Sequence, residues 1–143
     1  MMKKSILISL ILFVGLSLFT AKSTYSQADE IIKLCSQHLV PPFISDGQQY
    51  KALLNGDEIA EFHATFYGGS TYRIIACSGL SEGNLLFSVY DKERNLLFTN
   101  KDYKNAPYWD FTFKSTMDCI IEAELDSKSL KSGFALLMIG FKQ

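Results

Sequence analysis

The stretch Tyr108–Leu125, YWDFTFKSTMDCIIEAEL, decides the fold. In its first half, Trp109, Phe111 and Phe113 alternate with polar side chains. Successive side chains of a β-strand point to opposite faces, so this alternation predicts a half-buried strand with these three rings inward. The alternation then restarts, and a second inward face carries Cys119, Ile121, Ala123 and Leu125. Two such strands in succession are typical of an antiparallel β-sandwich.

The remaining sequence repeats this pattern on both sides of the stretch. Further strands are predicted over 48–54, 58–67, 71–78, 85–90, 96–99 and 134–141, separated by glycine, asparagine and charged turns. Seven or eight strands predict an all-β, antiparallel, jelly-roll-like β-sandwich, with a closed barrel of similar strand count as the alternative. The last strand is apolar on both faces, so we expect it to be central or covered on its outer side.

The N-terminus resembles a secretory signal peptide. Lys3 and Lys4 precede an apolar run, Ile6–Phe19, and small and polar residues lead to Ala28. We therefore predict a signal peptide over 1–28 and a secreted or periplasmic protein. The alternative is an uncleaved anchor, but the run is shorter than the roughly 20 residues that span a bilayer. A lipoprotein is disfavoured because the first cysteine lies well past the apolar run.

Residues 29–47 are predicted to form an N-terminal helix and a Pro-Pro loop, ahead of a sandwich domain over 48–143. The helix is expected from Asp29 to Val40, with an apolar stripe on one side. Pro41 and Pro42 end it, because proline lacks a backbone donor and disfavours a helical residue before it.

Cys35, Cys77 and Cys119 remain after signal cleavage, and export allows disulfides to persist. Three cysteines allow one bond with three pairings. Cys119 shares the inward face of its strand with Ile121, whereas Cys77 shares a face with Arg73. A helix carrying Cys35 and lying over that outer face favours Cys35–Cys77, although the absence of any bond stays open.

Charge and motif content exclude several classes of function. Without the three lysines of the leader, the 15 acidic residues outnumber the basic ones by four, which disfavours nucleic-acid binding. Cys35 and His38 have metal-ligand spacing, but a structural zinc site needs about four ligands. Asp91, Glu93 and Asn95 resemble a calcium loop, but a solvated turn explains them better. We predict no metal and no cofactor.

Catalytic constellations are sparse. Glu122 and Glu124 share an outer strand face, where a solvated surface is the simpler interpretation. A thiol–imidazole pair would require Cys77 or Cys119 with His63, and the thiol would need to be exposed with a lowered pKa. A small secreted hydrolase or thiol enzyme using such a pair is the alternative function.

The order of signals over 60–142 resembles the bacterial pre-peptidase C-terminal domain, a small secreted jelly-roll module. The resemblance rests on hydrophobic patterns and turns rather than on site residues. It is carried by Glu61-Phe62-His63-Ala64-Thr65-Phe66, Tyr72-Arg73-Ile74, Leu85-Leu86-Phe87-Ser88-Val89-Tyr90-Asp91, Trp109-Asp110-Phe111-Thr112-Phe113 and Gly133-Phe134-Ala135-Leu136-Leu137. It implies binding or structural work rather than catalysis and transfers no functional residue.

We therefore predict a secreted, non-enzymatic binding or structural module for a glycan, a peptide or an envelope partner, with no membrane span after cleavage. The predicted ligand surface comprises Tyr103, Tyr108, Asp110 and Lys114. The last three project outward at two-residue spacing, about 7 Å apart, which suits a sugar ring or an extended peptide. The alternative is that these tyrosines cap the sandwich edge, with their apolar bodies inward.

Overall fold

A computed structural model describes residues 23–79 and 81–142. Most of the predicted signal peptide, residues 1–22, lies outside them, and its cleavage stays a prediction. The described chain contains one α-helix, eight strands and one 3-10 helix at Asn100–Tyr103. Their bounds are α1 Ser23–Ser36, β1 Ile44–Asn55, β2 Ile59–Phe66, β3 Thr71–Cys77, β4 Leu85–Asp91, β5 Leu96–Thr99, β6 Tyr108–Thr112, β7 Met117–Leu125 and β8 Ser132–Lys142.

The strands form two four-stranded sheets, which confirms the predicted all-β sandwich. The first sheet has the order β1-β8-β3-β6 and the second has the order β2-β7-β4-β5. Every neighbouring pair of strands is antiparallel. The two sheets therefore have β1 and β2 as edge strands, together with β5 and β6.

The core lies between the two sheets and is built from the alternating apolar residues. Phe66, Phe87, Ile74 and Ile121 are almost completely buried there. Phe113 is buried as predicted, and Trp109 and Phe111 pack against the same core while remaining half-buried. Their partial exposure follows from the edge position of β6.

Strand β8 lies in the middle of the first sheet, as its two apolar faces predicted. Its inner residue Leu137 joins the main core, whereas Leu136 and Met138 face the other way. There they pack against Ile31 and Cys35 of α1 in a second apolar cluster. The helix therefore covers the outer face of the first sheet.

Helix α1 is displaced along the sequence relative to the predicted span of 29–40. It begins at Ser23 and ends at Ser36, before the two prolines. The amides of Gln37, His38 and Leu39 donate to carbonyls three residues back, so the chain leaves the α-helix through tighter turns. The residue before a proline avoids the α conformation, which explains an end ahead of Val40.

The segment around Asp46, which was predicted as a loop, is a bulge inside β1. The pairing with β8 shifts register between Ser45 and Gln49. Gly47 has a φ of 80°, and its amide donates to Ser45 Oγ at 3.0 Å. Bulges re-aim side chains and bend a strand. The bulge therefore sets the direction of Asp46.

A disulfide joins Cys35 of α1 to Cys77 of β3, with a Cα–Cα distance of 5.7 Å. This is the pairing that the face argument favoured. It fastens the helix to the sheet beneath it. Cys119 is a free, buried thiol on the inner face of β7.

Candidate functional site

Two of the four predicted ligand residues, Tyr108 and Asp110, lie together on the outer face of β6. Both interact with Arg73 of the neighbouring strand β3. Nε of Arg73 donates to Asp110 Oδ1 at 2.7 Å, and one terminal nitrogen donates to Oδ2 at 2.9 Å. The other terminal nitrogen donates to the carbonyl oxygen of His38 at 3.0 Å. The carboxylate is therefore already paired with a cation.

The Arg73 guanidinium is also held between two aromatic rings. Its central carbon lies 4.2 Å from the centroid of Phe43 and 4.4 Å from that of Tyr108. The ring of His38 packs on Tyr108 with centroids 4.9 Å apart. Only 14% of the Arg73 side chain is exposed. This arrangement, the Arg73 clamp, holds the segment after α1 against the first sheet. It therefore stabilises the fold.

Tyr103 and Lys114 lie apart from this clamp. Tyr103 belongs to the 3-10 helix and packs on Trp109, with ring centroids 4.2 Å apart. Trp109 points to the opposite face of β6 from Tyr108, so the two tyrosines do not share a surface. Lys114 is exposed in the turn after β6. The predicted ligand surface of four residues is thus divided, and its binding role stays a prediction.

Thiol chemistry finds no support in this geometry. Cys77 is bonded to Cys35 in the disulfide and so has no free thiol. Cys119 is buried, and burial raises the pKa of its thiol from 9.0 to about 11. His63 is exposed, and it faces away from the core while Cys119 faces into it. Neither cysteine forms the thiol–imidazole pair that the alternative function required.

The two outer-face carboxylates of β7 are held in ion pairs. Glu122 accepts from Arg94 at 2.8 Å, and Glu124 pairs with Lys101. The pattern is that of a solvated charged sheet face. Within 23–79 and 81–142, no three side chains of His, Cys, Asp and Glu are grouped to hold a metal ion.

The candidate site is a cleft where β1 and β2 diverge at one edge of the sandwich. Its cavity volume is about 580 Å³. It lies between the two sheets, because residues of both sheets line it. They come from β1, from β2 and the turn after it, from the start of β3 and from the end of β8. The lining residues are Asp46, Gln48, Tyr50, His63, Ala64, Thr65, Phe66, Tyr67, Ser70, Tyr72, Ile139 and Phe141.

Two contacts shape the cleft. The rings of Tyr50 and Phe62 meet edge-on with centroids 5.8 Å apart, which joins β1 to β2. The hydroxyl of Tyr72 accepts the amide of Tyr67 at 3.0 Å and so fixes the end of β2. Tyr67 is 63% exposed. The bulge around Asp46 supplies the opposite wall.

Asp46 and Tyr50 dominate the electrostatics of the cleft. The Asp46 carboxylate accepts the amide of Gln48 at 2.8 Å. Burial raises the pKa of Asp46 despite that hydrogen bond. Burial also raises the pKa of Tyr50, and the nearby Asp46 charge adds to the shift. The cleft therefore has a negative potential at its β1 wall.

His63 lies at the β2 rim of the cleft with its side chain on the outer face of the strand, where Nε2 lies 2.9 Å from Oε1 of Glu61. Glu61 also pairs with Arg94, and these two partners lower the pKa of its carboxyl, Arg94 most strongly. The negative charge of Glu61 is thus compensated, whereas that of Asp46 is not matched by a cation in the described part of the chain. Sequence reasoning missed this site because it requires the register of β1 and the pairing of distant edge strands.

Comparison with known proteins identifies a fold. No family model matches the sequence, and no curated protein matches it either. Among solved structures, the chain is similar to Aeromonas hydrophila PliG, a periplasmic inhibitor of g-type lysozyme. The sequence identity is 13%, the TM-score is 0.51, and the match covers 69% of this chain and 91% of PliG. The likeness shows a shared β fold, and the resemblance to the pre-peptidase C-terminal domain remains a prediction.

No helix in the described ranges is both long and apolar enough to cross a membrane.

Proposed function

We propose that this protein is an exported, non-enzymatic module that binds a protein partner in the cell envelope, with a secreted lysozyme of the g type as its first candidate. The β1/β2 cleft is the proposed contact surface. The fold of a periplasmic lysozyme inhibitor supports this class of partner, and the predicted signal peptide agrees with export. A glycan partner has no comparable support.

One observation carries the proposal: an exposed aromatic stands at the mouth of a cleft with a negative wall. Tyr67 is anchored through its backbone to Tyr72, yet the residue is 63% exposed. Tyrosines are enriched among the residues that dominate binding energy at interfaces. The excess of acidic residues in the chain after Ala28 would steer it toward a basic partner.

The test measures inhibition and direct binding of a g-type lysozyme by the mature protein, purified after export. We expect inhibition at near-stoichiometric concentrations. Replacing Tyr67 by alanine should weaken binding by at least about tenfold, the effect of losing one interface hot spot. The matched control is Tyr103→Ala, because Tyr103 is 49% exposed at the opposite edge. The control should change affinity by less than about twofold.

The proposed partner would be ruled out if the protein neither inhibited the lysozyme nor formed a complex with it. Loss of binding in Tyr103→Ala alongside normal binding in Tyr67→Ala would place the contact surface at the other edge. Circular dichroism and the melting temperature of each variant separate a lost contact from a lost fold.

A further inference from the structure

Strand β2 offers an unprotected edge beside the cleft. It is the terminal strand of its sheet, and all eight of its residues pair in register with β7. Nothing within 23–79 and 81–142 pairs with its other edge. Alternate residues of an edge strand direct their amides and carbonyls outward, where an extended peptide can pair with them.

The other edge strands have features that hinder pairing with another chain. β1 carries the bulge at Asp46 ahead of its regular run from Gln49 to Asn55, and β5 is four residues long with a register shift between Val89 and Tyr90. β6 has only five residues. Short strands, bulges and charged residues are devices that prevent pairing with other chains. β2 has eight regular residues and no bulge.

The cleft next to β2 has the chemistry of a pocket for a basic side chain. Asp46 supplies a half-buried carboxylate whose hydrogen bond comes from a backbone amide of its own strand. Tyr50 of β1 and Tyr67 of the turn after β2 are aromatic residues of the lining. Carboxylates and aromatic faces are the groups that bind a guanidinium or an ammonium.

The Arg73 clamp in this chain shows the same combination already satisfied. There a guanidinium lies between Phe43 and Tyr108 and pairs with Asp110. In the cleft, the carboxylate and the rings are present without a cation. Burial of the Asp46 carboxylate carries a cost that an incoming cation would offset.

We infer that the β2 edge and the cleft together bind an extended segment of the partner protein by strand addition, with a lysine or arginine of that segment seated against Asp46. Backbone pairing along β2 would supply affinity, and the pocket would supply specificity for the basic side chain. This inference rests on the proposed protein-binding role of the cleft.

The test uses a tethered peptide, since short free peptides bind weakly. Phe141 lines the cleft, so the end of β8 lies beside it. The full chain is extended beyond Gln143 by a Gly/Ser linker of about eight residues, which reaches about 15 Å, followed by Thr-Val-Arg-Val-Thr. Tethering of this kind gives millimolar effective concentrations. Matched fusions carry leucine or glutamate in place of the arginine.

The readout is amide hydrogen exchange and backbone chemical shifts by NMR. We expect the arginine fusion to protect alternate amides of β2, and the glutamate fusion to leave them unprotected. Asp46→Asn should reduce the occupancy of the arginine fusion by about tenfold and leave the leucine fusion unchanged. Asp57→Asn, an exposed carboxylate in the β1–β2 turn, is the control and should change neither fusion.

An arginine fusion without protection in β2 would overturn the inference. So would equal protection by the arginine, leucine and glutamate fusions, or an arginine preference that survives Asp46→Asn. The lysozyme assay is independent of this experiment. Inhibition without β2 protection removes the strand-addition inference alone, whereas β2 protection without inhibition removes the proposed lysozyme partner alone.

Discussion

Arg73 and Asp110 stand directly opposite each other on β3 and β6, joined by two parallel hydrogen bonds of 2.7 and 2.9 Å. The pair fixes the position of an edge strand, because β3 is the one strand in the described part of the chain that pairs with β6. Asp110 is therefore committed to an internal partner. Its part in the fold can be measured directly.

Asp110→Ala should lower the free energy of unfolding by about 1–3 kcal/mol, the range for leaving a buried polar group without its hydrogen-bond partner. The change leaves a mostly covered guanidinium without its carboxylate. Urea denaturation measures the loss, and Lys114→Ala, exposed in the turn after β6, is the control. A loss below about 0.5 kcal/mol would show that the pair is no stronger than a surface ion pair.

Trp109→Ala should destabilise the protein by about 3 kcal/mol, at the lower end of the range for removing a large core aromatic. Trp109 packs against Phe98 and Tyr103, with centroids 5.1 and 4.2 Å away, but it is half-buried at the sheet edge. Chemical denaturation and the near-ultraviolet signal of the single tryptophan report the change. A shift below about 1 kcal/mol would contradict an inward Trp109, since surface substitutions are usually near neutral.

Removing the disulfide should cost about 4 kcal/mol of stability, because the bond closes a loop with a sequence separation of 42. The variant Cys35→Ala with Cys77→Ala avoids leaving a lone thiol. Its unfolding midpoint is compared with that of Cys119→Ala, which retains the bond. If the double variant unfolds with nearly wild-type stability, packing of α1 is enough to hold the helix on the sheet.

The Cys119 thiol should make stability fall in alkali. The ordinary pKa of the thiol is 9.0, and burial raises it to about 11 in the folded protein, so the unfolded chain loses the proton first as pH rises. The stabilisation is complete below pH 9 and is lost as pH rises toward 11. Urea titrations at several pH values should show a shallower alkaline decline for Cys119→Ala than for the wild type. Identical slopes would mean that the thiol is not desolvated.

Much of the fold follows from local pattern. Alternation along Tyr108–Leu125 identified two strands and their inner faces, and the two apolar faces of β8 predicted its central position. The outward face shared by Cys77 and Arg73 pointed to the helix above it. These inferences succeed because side-chain parity in a strand is set within a few residues.

The sites could not be predicted in the same way. The sequence predicts that the Asp110 carboxylate projects outward from its strand. Only the β3–β6 register reveals its partner Arg73. Tyr103 leaves the predicted surface because a 3-10 helix turns it onto Trp109. Asp46 gains its environment from a bulge and from a strand of the other sheet. Each of these facts depends on long-range pairing.

The pairing of β1 with β8 has a consequence for the order of folding. β1 is the first strand to emerge when a chain leaves a ribosome or a translocation channel N-terminus first, and β8 is the last. Strand β8 lies between β1 and β3, so β1 has no neighbouring strand in its sheet until β8 has emerged. The second sheet and the β3–β6 pair of the first sheet can form before β8 emerges. Completion of the first sheet therefore waits for β8, and a chain cut short before Ser132 leaves β1 without its paired strand.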